Sequence, residues 1–590
     1  MSKNDSSTFK ISRRSLLKGS AVAAGAALAP GALTLGQAEA QDRSNTMVVA
    51  APATPQSLDS EYDVSLGTFE AVACLYDSLV EFEKKPDAGV PTASREDITD
   101  YPDKPGRVNM VGKLAESWEI DPDGTWARFH LRKGVKSNWG NELTAEDVVW
   151  TWHRKLALGA IGGFFANTIS LKRPEQITAE GSHTVTFKLD HPNPLLLKLQ
   201  PNLYNPIYDS KKIKEIATDD DPWGKSFLEN NSAGHGPYEL ASLVRGQQAV
   251  YKGRADYYGG KPAMENVIFK EVPTSANRVQ LLQGGAVDIA QYLQPLEIIQ
   301  LRSAPNVAVE TIPATFMIWI ELNAKIEPFG SIDVRRAMNF AFPQEQIIRT
   351  VFQDLASPLT ACMPDIYPGY NGDYWEFGKQ DLAHARELLK GAGYGDGFTT
   401  SLAYNAGDPV QEPMAILYQS ALREIGVNLE LKKVPAATFY NNVTERKQPM
   451  IFYVDSPWCP DPGYSMNLYF HSKSFINYSN YENARVDELI DGAAQTNDQT
   501  ARLEMMDEVQ KHVMREAPWV FGVFPNYTMA RSKDLMGWTY YTSNNMRFQD
   551  FYRASYVSRR YSAGPRKRSG TLAHSAYEQY FSGTPPAHDA

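Results

Sequence analysis

Two helical segments of this chain end at glycine, and one of them leads directly into a strand. Residues 381–389 predict a helix that stops at Gly391-Ala392-Gly393, because glycine terminates helices readily. Residues 414–425 predict another, which stops at Gly426, and Val427 to Leu431 then alternate as in a strand. The order helix, glycine, strand is typical of α/β proteins, so we predict an α/β fold.

The amino-terminal half follows the same pattern. Thr144 to Asp147 form a capping-box start for a helix, with Val148, Val149 and Trp152 on its apolar face. Short β-rich runs such as Met47–Ala50 and Val185–Leu189 predict strands. Helices therefore alternate with strands over most of the chain.

The first 40 residues have the order of an export signal. An arginine pair, Arg13-Arg14, precedes an apolar run from Ala21 to Gly36. Ala38-Glu39-Ala40 then fits the small-x-small pattern of a signal-peptide cleavage site. The run is too short, and too rich in alanine and glycine, for a membrane anchor. We predict a twin-arginine signal peptide over residues 1–40 and a periplasmic protein. No cysteine follows the cleavage site, so lipid anchoring is not indicated.

The size and charge of the mature chain limit its class. The 590-residue chain leaves more residues after cleavage than one core holds, so several domains are expected. Its net charge is −10, of which the signal contributes +3, so the mature chain is strongly acidic and nucleic acid is not an expected partner. The three cysteines permit one disulfide at most.

The motifs of common enzyme classes are missing. The sequence contains neither the Gly-x-Ser-x-Gly of hydrolases nor the His-Glu-x-x-His of zinc proteases. Gly224-Lys225-Ser226 resembles the end of a phosphate-binding loop, but position 219 is Asp219 where that loop has glycine. We therefore expect no catalysis, no cofactor and no bound metal.

Several segments together resemble the family 5 extracellular solute-binding proteins, the peptide and nickel class. They occur in the expected order between about Thr46 and Tyr552. The matching segments are Leu114–Trp118, Phe129–Val135, Leu143–Val149, Gly234–Tyr238, Asp333–Ala337, Leu422–Val427 and Tyr481–Ile490.

The resemblance implies a two-lobed periplasmic binding protein of the Venus-flytrap type, with an extra domain inserted in the first lobe. It implies that the chain, as a monomer, captures a peptide-like ligand between its lobes for an inner-membrane ABC permease and ATPase. The expected parts are lobe I (41–85, 200–312 and 525–563), the inserted domain (86–199), lobe II (313–524) and a flexible tail (564–590).

The resemblance also places ligand-binding residues. Trp458-Cys459-Pro460-Asp461 is similar to a Trp-Cys-x-Asp segment of oligopeptide receptors, whose aspartate binds the α-ammonium of the peptide. A carboxylate suits this role because a buried ammonium needs a charged acceptor. The alternative is that Asp461-Pro462 only opens a turn.

Two charged residues upstream fall where those receptors have arginines. Arg446 matches one that meets the ligand carboxylate, with a solvated loop charge as the alternative. Asp455 reverses the charge of the second, which puts ordinary oligopeptide specificity in doubt and indicates a ligand with an extra cationic or hydroxylated group.

The strand Phe316–Asn323 resembles another segment that lines the cleft. Trp319 and Glu321 alternate on one of its faces and match an aromatic residue and a glutamate of those receptors, although Trp319 also suits a core. The receptors bridge the cysteine that matches Cys459 to one on this strand. The strand has no cysteine here, so that disulfide is not expected.

Two further hypotheses stay open. One is a receptor of the same family for an opine, an oligosaccharide or a metal chelate, although no clustered histidines favour direct nickel binding. The other is a periplasmic enzyme or chaperone on this scaffold.

Overall fold

The structure is a computed structural model that describes residues 43–101 and 104–555. The predicted signal peptide (1–40) and the predicted tail (564–590) lie outside the described residues. The domain limits predicted from the sequence stay predictions, and each of the two lobes is built around one large sheet.

The first lobe is built around a sheet that contains strands from both ends of the described chain. Its central strands are apolar and buried, as expected for strands covered on both faces. In the described residues this sheet has seven strands, in the order β12 (Tyr238–Val244), β13 (Gln248–Gly253), β14 (Asn266–Glu271), β1 (Thr46–Ala51), β15 (Ile289–Ala290), β23 (Tyr527–Ser532) and β16 (Val307–Ile312).

The second lobe is built around a sheet formed entirely by residues from the middle and later part of the chain. Among the residues described, it has six strands, in the order β18 (Ala356–Pro358), β22 (Trp519–Pro525), β17 (Met317–Leu322), β21 (Met450–Asp455), β19 (Phe398–Asn405) and β20 (Val427–Val434). Every residue of β17 is buried, so this strand lies at the centre of the lobe.

Residues between Ala115 and Lys188 form an additional antiparallel sheet. Its strands, within the described ranges, follow the order β10 (Ile177–Ala179), β11 (Thr184–Lys188), β9 (Trp126–Leu131) and β8 (Ala115–Ile120). The remaining strands form small ribbons: β2 (Val80–Phe82) with β7 (Met110–Gly112), β3 (Lys84–Pro86) with β4 (Ser94–Glu96) and β25 (Thr539–Tyr540), β5 (Asp100–Tyr101) with β6 (Lys104–Val108), and β24 (Leu535–Met536) with β26 (Tyr552–Arg553).

The helices pack on the faces of these sheets. In chain order, the described residues form α1 (Thr68–Leu75), α2 (Ala145–Leu158), α3 (Ile161–Thr168), α4 (Leu195–Lys198), α5 (Ser210–Ile216), α6 (Lys225–Leu228), α7 (Ser275–Gln283), α8 (Pro295–Leu301), α9 (Ile332–Phe340), α10 (Gln344–Thr350), α11 (Leu382–Gly391), α12 (Gln411–Glu424), α13 (Ala436–Thr444), α14 (Pro462–Phe470), α15 (Ala484–Gln495) and α16 (Gln499–Glu516). None of them has the length and apolar character needed to cross a lipid bilayer.

The helix ends predicted from sequence are confirmed. Helix α2 begins after Thr144, whose backbone N–H donates to Asp147 Oδ2 over 2.7 Å. Asp381 caps α11 by accepting the N–H of His384 at 2.9 Å. Helix α12 ends just before Gly426, whose φ of 83° suits glycine. The α/β prediction is therefore confirmed element by element.

The predicted turn at Gly234–Tyr238 brings two backbones together. A side chain at Gly236 would place its Cβ 2.5 Å from the carbonyl carbon of Leu75, at the end of α1. Only glycine fits such an approach. The turn therefore holds α1 against the start of β12.

Strand directions determine where the two lobes face each other. Strands β14 and β15 run parallel to β1, and β16 shares their direction because both β15 and β16 are antiparallel to β23. The chain leaves the first lobe at the end of β16 and enters β17 after four residues. Strands β21, β19 and β20 run opposite to β17, back towards this crossing. The carboxyl ends of the parallel strands of both lobes therefore face the crossing.

Candidate ligand-binding cleft

The carboxyl ends of parallel strands are where α/β folds place their ligand-binding loops. In the second lobe, the loop from Ser456 to Asp461 follows β21 at this edge. Ser456 Oγ lies 2.6 Å from Thr315 Oγ1, and Asn544 Nδ2 donates to Ser456 Oγ over 2.9 Å. This loop is therefore fixed to the chain crossing and lies in the cleft between the lobes.

Trp458 joins the two lobes through aromatic contacts. Its half-buried ring lies 5.5 Å from the ring of Phe165 on α3 and 5.0 Å from that of Tyr204, measured between centroids. Its carbonyl accepts a hydrogen bond of 2.8 Å from Asn202 Nδ2. Trp458 therefore contacts side chains from a distant part of the chain, and its contact with a ligand stays a prediction.

Asp461 is the N-cap of α14, the position that the turn alternative predicts. Its Oδ1 accepts the N–H of Tyr464 at 3.2 Å, and Pro462 takes the first helical position. The carboxylate also pairs with Lys198 Nζ, 2.9 Å away, and with both terminal nitrogens of Arg502. All three side chains are buried. A ligand ammonium would have to compete with these cations, and that role stays a prediction.

The electrostatics of Asp461 follow from these contacts. Burial alone would raise its pKa, but the two adjacent cations hold the pKa well below its usual range. Asp461 is therefore ionised throughout the physiological range and has its countercharge within the protein.

Cys459 is buried beside this ion pair, and its pKa is raised because burial disfavours the thiolate. All three cysteines lie within the described residues, and none forms a disulfide. Strand β17 contains no cysteine to which Cys459 could be bridged.

Asp455 is the last residue of β21, and its environment differs from that of Asp461. Its Oδ2 accepts a hydrogen bond of 3.0 Å from the hydroxyl of Tyr469, and its Oδ1 accepts the N–H of Ser456 at 2.7 Å. No lysine, arginine or histidine in the described part of the chain forms an ion pair with it. Burial raises its pKa to about 6.

Trp319 and Glu321 lie deeper, beneath the cleft edge. Trp319 pairs with Tyr453 in the register of β17 with β21, two residues in from Asp455, and its Nε1 donates to Glu321 Oε1 over 2.7 Å. Its ring stacks on that of Trp519, with centroids 4.3 Å apart. The two side chains share one face, as predicted, but both are buried in the core. Their contact with a ligand stays a prediction.

The carboxyl group of Glu321 is perturbed by this position. Burial raises its pKa to about 8, and the hydrogen bond from Trp319 and the charge of Arg446 offset this effect only in part. Its Oε2 has no hydrogen-bond partner among the described residues. Glu321 is therefore largely protonated at neutral pH.

Arg446 precedes the amino end of β21, at the opposite end of that strand from Asp455. Its φ of 54° is left-handed, and its guanidinium donates to the carbonyl of Ser474 over 2.9 Å and lies above the ring of Tyr478. The structure does not bring Arg446 together with Asp455, and a contact with the ligand carboxylate stays a prediction.

The partners of Trp458 and Asp461 from the first half of the chain were not predicted. Phe165, Lys198 and Tyr204 belong to segments without a recognisable motif. A signal existed for one of them: Lys198 interrupts the apolar run Leu195–Leu199, and a lysine is rarely fully buried unless paired.

More than half of this chain matches one known protein family. Residues 109–477 match the middle region of the bacterial extracellular solute-binding proteins, family 5. The chain belongs to this family. A twin-arginine translocation signal matches residues 10–30, so the leader prediction is confirmed. This family 5 protein is therefore the periplasmic solute-binding component of an ABC importer.

Individual relatives cover nearly the whole chain. The probable D,D-dipeptide-binding periplasmic protein of Escherichia coli K12 is 28% identical over 497 residues, which span 84% of this chain and 91% of the relative. The dipeptide-binding protein of Pseudoalteromonas sp. SM9913, solved with Met-Leu, has a TM-score of 0.73 at 21% identity and covers 86% of this chain and 100% of its own. AgaA of A. tumefaciens R10, solved with agropinic acid, has a TM-score of 0.70 at 22% identity, with 86% and 98% covered. The solved structures support the two-lobed fold.

Proposed function

We propose that this protein captures a peptide-like ligand, a dipeptide or oligopeptide, between its two lobes and delivers it unchanged to the membrane permease. The observation that carries the proposal is the near full-length similarity to a relative named for dipeptide binding. The cleft adds chemical support, because a carboxylate without an ion-pair partner and several aromatic rings suit an amine-bearing ligand with apolar side chains.

Closure of the lobes explains how binding becomes a transport signal. Two short connections join the sheets, residues 313–316 and Asn526. A ligand that contacts both lobes stabilises the closed arrangement, and the permease then distinguishes a loaded protein from an empty one. This role requires no bond to be made or broken, so we propose a receptor rather than an enzyme. We also propose that it acts as a monomer and, because it is acidic, does not bind nucleic acid.

The aromatic contact between the lobes gives a first prediction. A Trp458→Ala variant loses two ring contacts that exist only when the lobes are together, so ligand affinity should fall by about tenfold to a hundredfold. Calorimetric titration measures this loss, and small-angle scattering reports the more open protein. Trp139→Ala is the matched control, because Trp139 packs on Phe227 and Lys212 within the first lobe. Equal affinities for both variants would contradict the role of Trp458 in closure.

The identity of the ligand is tested by native mass spectrometry of the mature protein purified from its own periplasm. We expect a bound mass that denaturation releases intact and that fragments as a peptide. An opine or a sugar would leave a receptor with a different ligand. This second candidate is favoured by Asp455, which replaces an arginine of the oligopeptide receptors, and the fold of AgaA is compatible with it. A released product that differs from the added compound would instead indicate an enzyme.

A further inference from the structure

We propose that Asp455, and not Asp461, binds the ammonium group of the ligand, and that the protein therefore selects solutes with a free amine and an apolar body. This inference rests on the proposed function, since it assigns a residue and a chemical class to the same cleft.

The position of Asp455 suits a residue at the floor of the cleft. It ends β21 at the edge that faces the crossing, and the next residue, Ser456, bonds to the crossing itself through Thr315. The side chain lies on the same face of the sheet as Tyr453, two residues before it on the strand. A ligand held between the lobes is therefore expected to reach this carboxylate at the end of the strand.

Asp455 and Asp461 differ in their ion-pair partners within the described part of the chain. Asp461 contacts two buried cations of the protein, whereas the charge of Asp455 has no cationic partner within the described residues. Among the residues that the structure describes, the hydrogen-bond donors to Asp455 are one hydroxyl and one backbone N–H. A half-buried carboxylate in this state gains from a cation, because a charge-assisted hydrogen bond offsets its lost hydration.

The neighbours of Asp455 are aromatic. The titratable groups that face it are tyrosines: Tyr453 on its own strand, Tyr464 and Tyr469 on α14, and Tyr478 beyond that helix. Trp319 packs beneath these rings, with its ring centroid 5.1 Å from that of Tyr453 and 5.4 Å from that of Tyr469. A carboxylate beside electron-rich rings is the usual environment of a bound ammonium group.

A separate observation indicates the apolar body of the ligand. Large apolar side chains stand exposed in the segments that follow the parallel strands, at the edges that face the crossing. They are Tyr62, Val64 and Leu66 after β1, Tyr292 after β15, and Tyr440 on the helix after β20, with exposed fractions of 36–56%. Tyr292 adopts a left-handed φ of 50°, a strained conformation that is common at binding sites. Apolar surface on both lobes of one cleft fits apolar side chains of a ligand.

The test compares two dipeptide libraries, one with free amino termini and one N-acetylated, for binding to the mature protein by native mass spectrometry and calorimetry. Wild type should retain members of the free-amine library and bind the acetylated counterparts at least about a hundredfold more weakly. Asp455→Asn, which keeps the size of the side chain, should lose a similar factor, and its thermal unfolding shows that it is folded. Tyr469→Phe retains the charge and should lose only about threefold.

The pH dependence of binding adds a readout that a structural role would not move. Because a proton competes with the ligand for Asp455, affinity should fall about tenfold from pH 7 to pH 5 in wild type and stay constant in Asp455→Asn. Wild-type affinity in Asp455→Asn, or equal binding of acetylated and free dipeptides, would overturn the inference and leave the proposed function standing. If neither library binds wild type, the proposed function and the inference both fall.

Discussion

An Asp461→Ala variant is expected to lose about 3–5 kcal/mol of unfolding free energy, because the substitution removes the carboxylate that lies between two buried cations. The cations are Lys198 and Arg502, and each has a side chain about 1% exposed. The variant also loses the N-cap of α14, which contributes about 1 kcal/mol. Urea denaturation followed by tryptophan fluorescence measures the loss.

Two further variants separate the causes. Asp461→Asn keeps a cap acceptor and removes the charge, so it should be about 1 kcal/mol more stable than Asp461→Ala. Glu482→Ala breaks an exposed pair with Lys325 and should change stability by less than about 1 kcal/mol. An Asp461→Ala protein with wild-type stability and lost ligand affinity would show that Asp461 acts on the ligand after all.

A Glu321→Gln variant should be more stable than wild type at pH 8, by about 4 kcal/mol. The ordinary pKa of this carboxyl group, 4.5, applies to the unfolded chain, and burial raises the folded value to about 8. The native state therefore binds the proton more tightly, and wild-type stability falls as pH rises between these two values. Glutamine resembles the protonated acid and still accepts the hydrogen bond of Trp319.

The measurement is the unfolding free energy of both proteins from pH 4.5 to pH 8. The difference should be small at the acidic end and largest at pH 8. Glu116→Gln is the control, since Glu116 is exposed on β8 and its replacement should leave the pH profile unchanged. A constant difference across the range would mean that Glu321 is ionised in the native state, and would favour a charged role of this residue in the cleft.

The local sequence was enough to predict the fold class and many element ends. Capping residues such as Thr144 and Asp381, and the helix stop at Gly426, act over a few neighbouring residues, so their effect is readable from the chain. The order of strands in the two sheets was not readable from local pattern. It depends on contacts such as that of β1 with β14, whose residues lie more than 200 positions apart.

The candidate site residues show the same contrast between features set by nearby residues and features set by distant parts of the chain. Trp458 lies in the loop that follows β21, Asp455 is the last residue of that strand, and the resemblance predicted both as cleft residues. The environment of Asp461 could not be predicted, because its partner Lys198 is 263 positions away and Arg502 is 41 positions away. The burial of Glu321 in the core could not be predicted from the sequence either. Alternation along a strand predicts which face of the sheet a side chain lies on, but not how far it lies from the edge of the sheet.

The place of β23 in the first sheet has a consequence for biosynthesis. This strand, Tyr527–Ser532, pairs with β15 on one side and β16 on the other, although it is synthesised more than 200 residues after both. The first lobe is therefore a structure of high contact order, and a nascent chain that stops before Tyr527 leaves β15 and β16 without the strand that joins them. Folding of this lobe is completed only after the ribosome has made Tyr527–Ser532. An export route that accepts folded cargo, the one that the arginine pair specifies, matches this order of events.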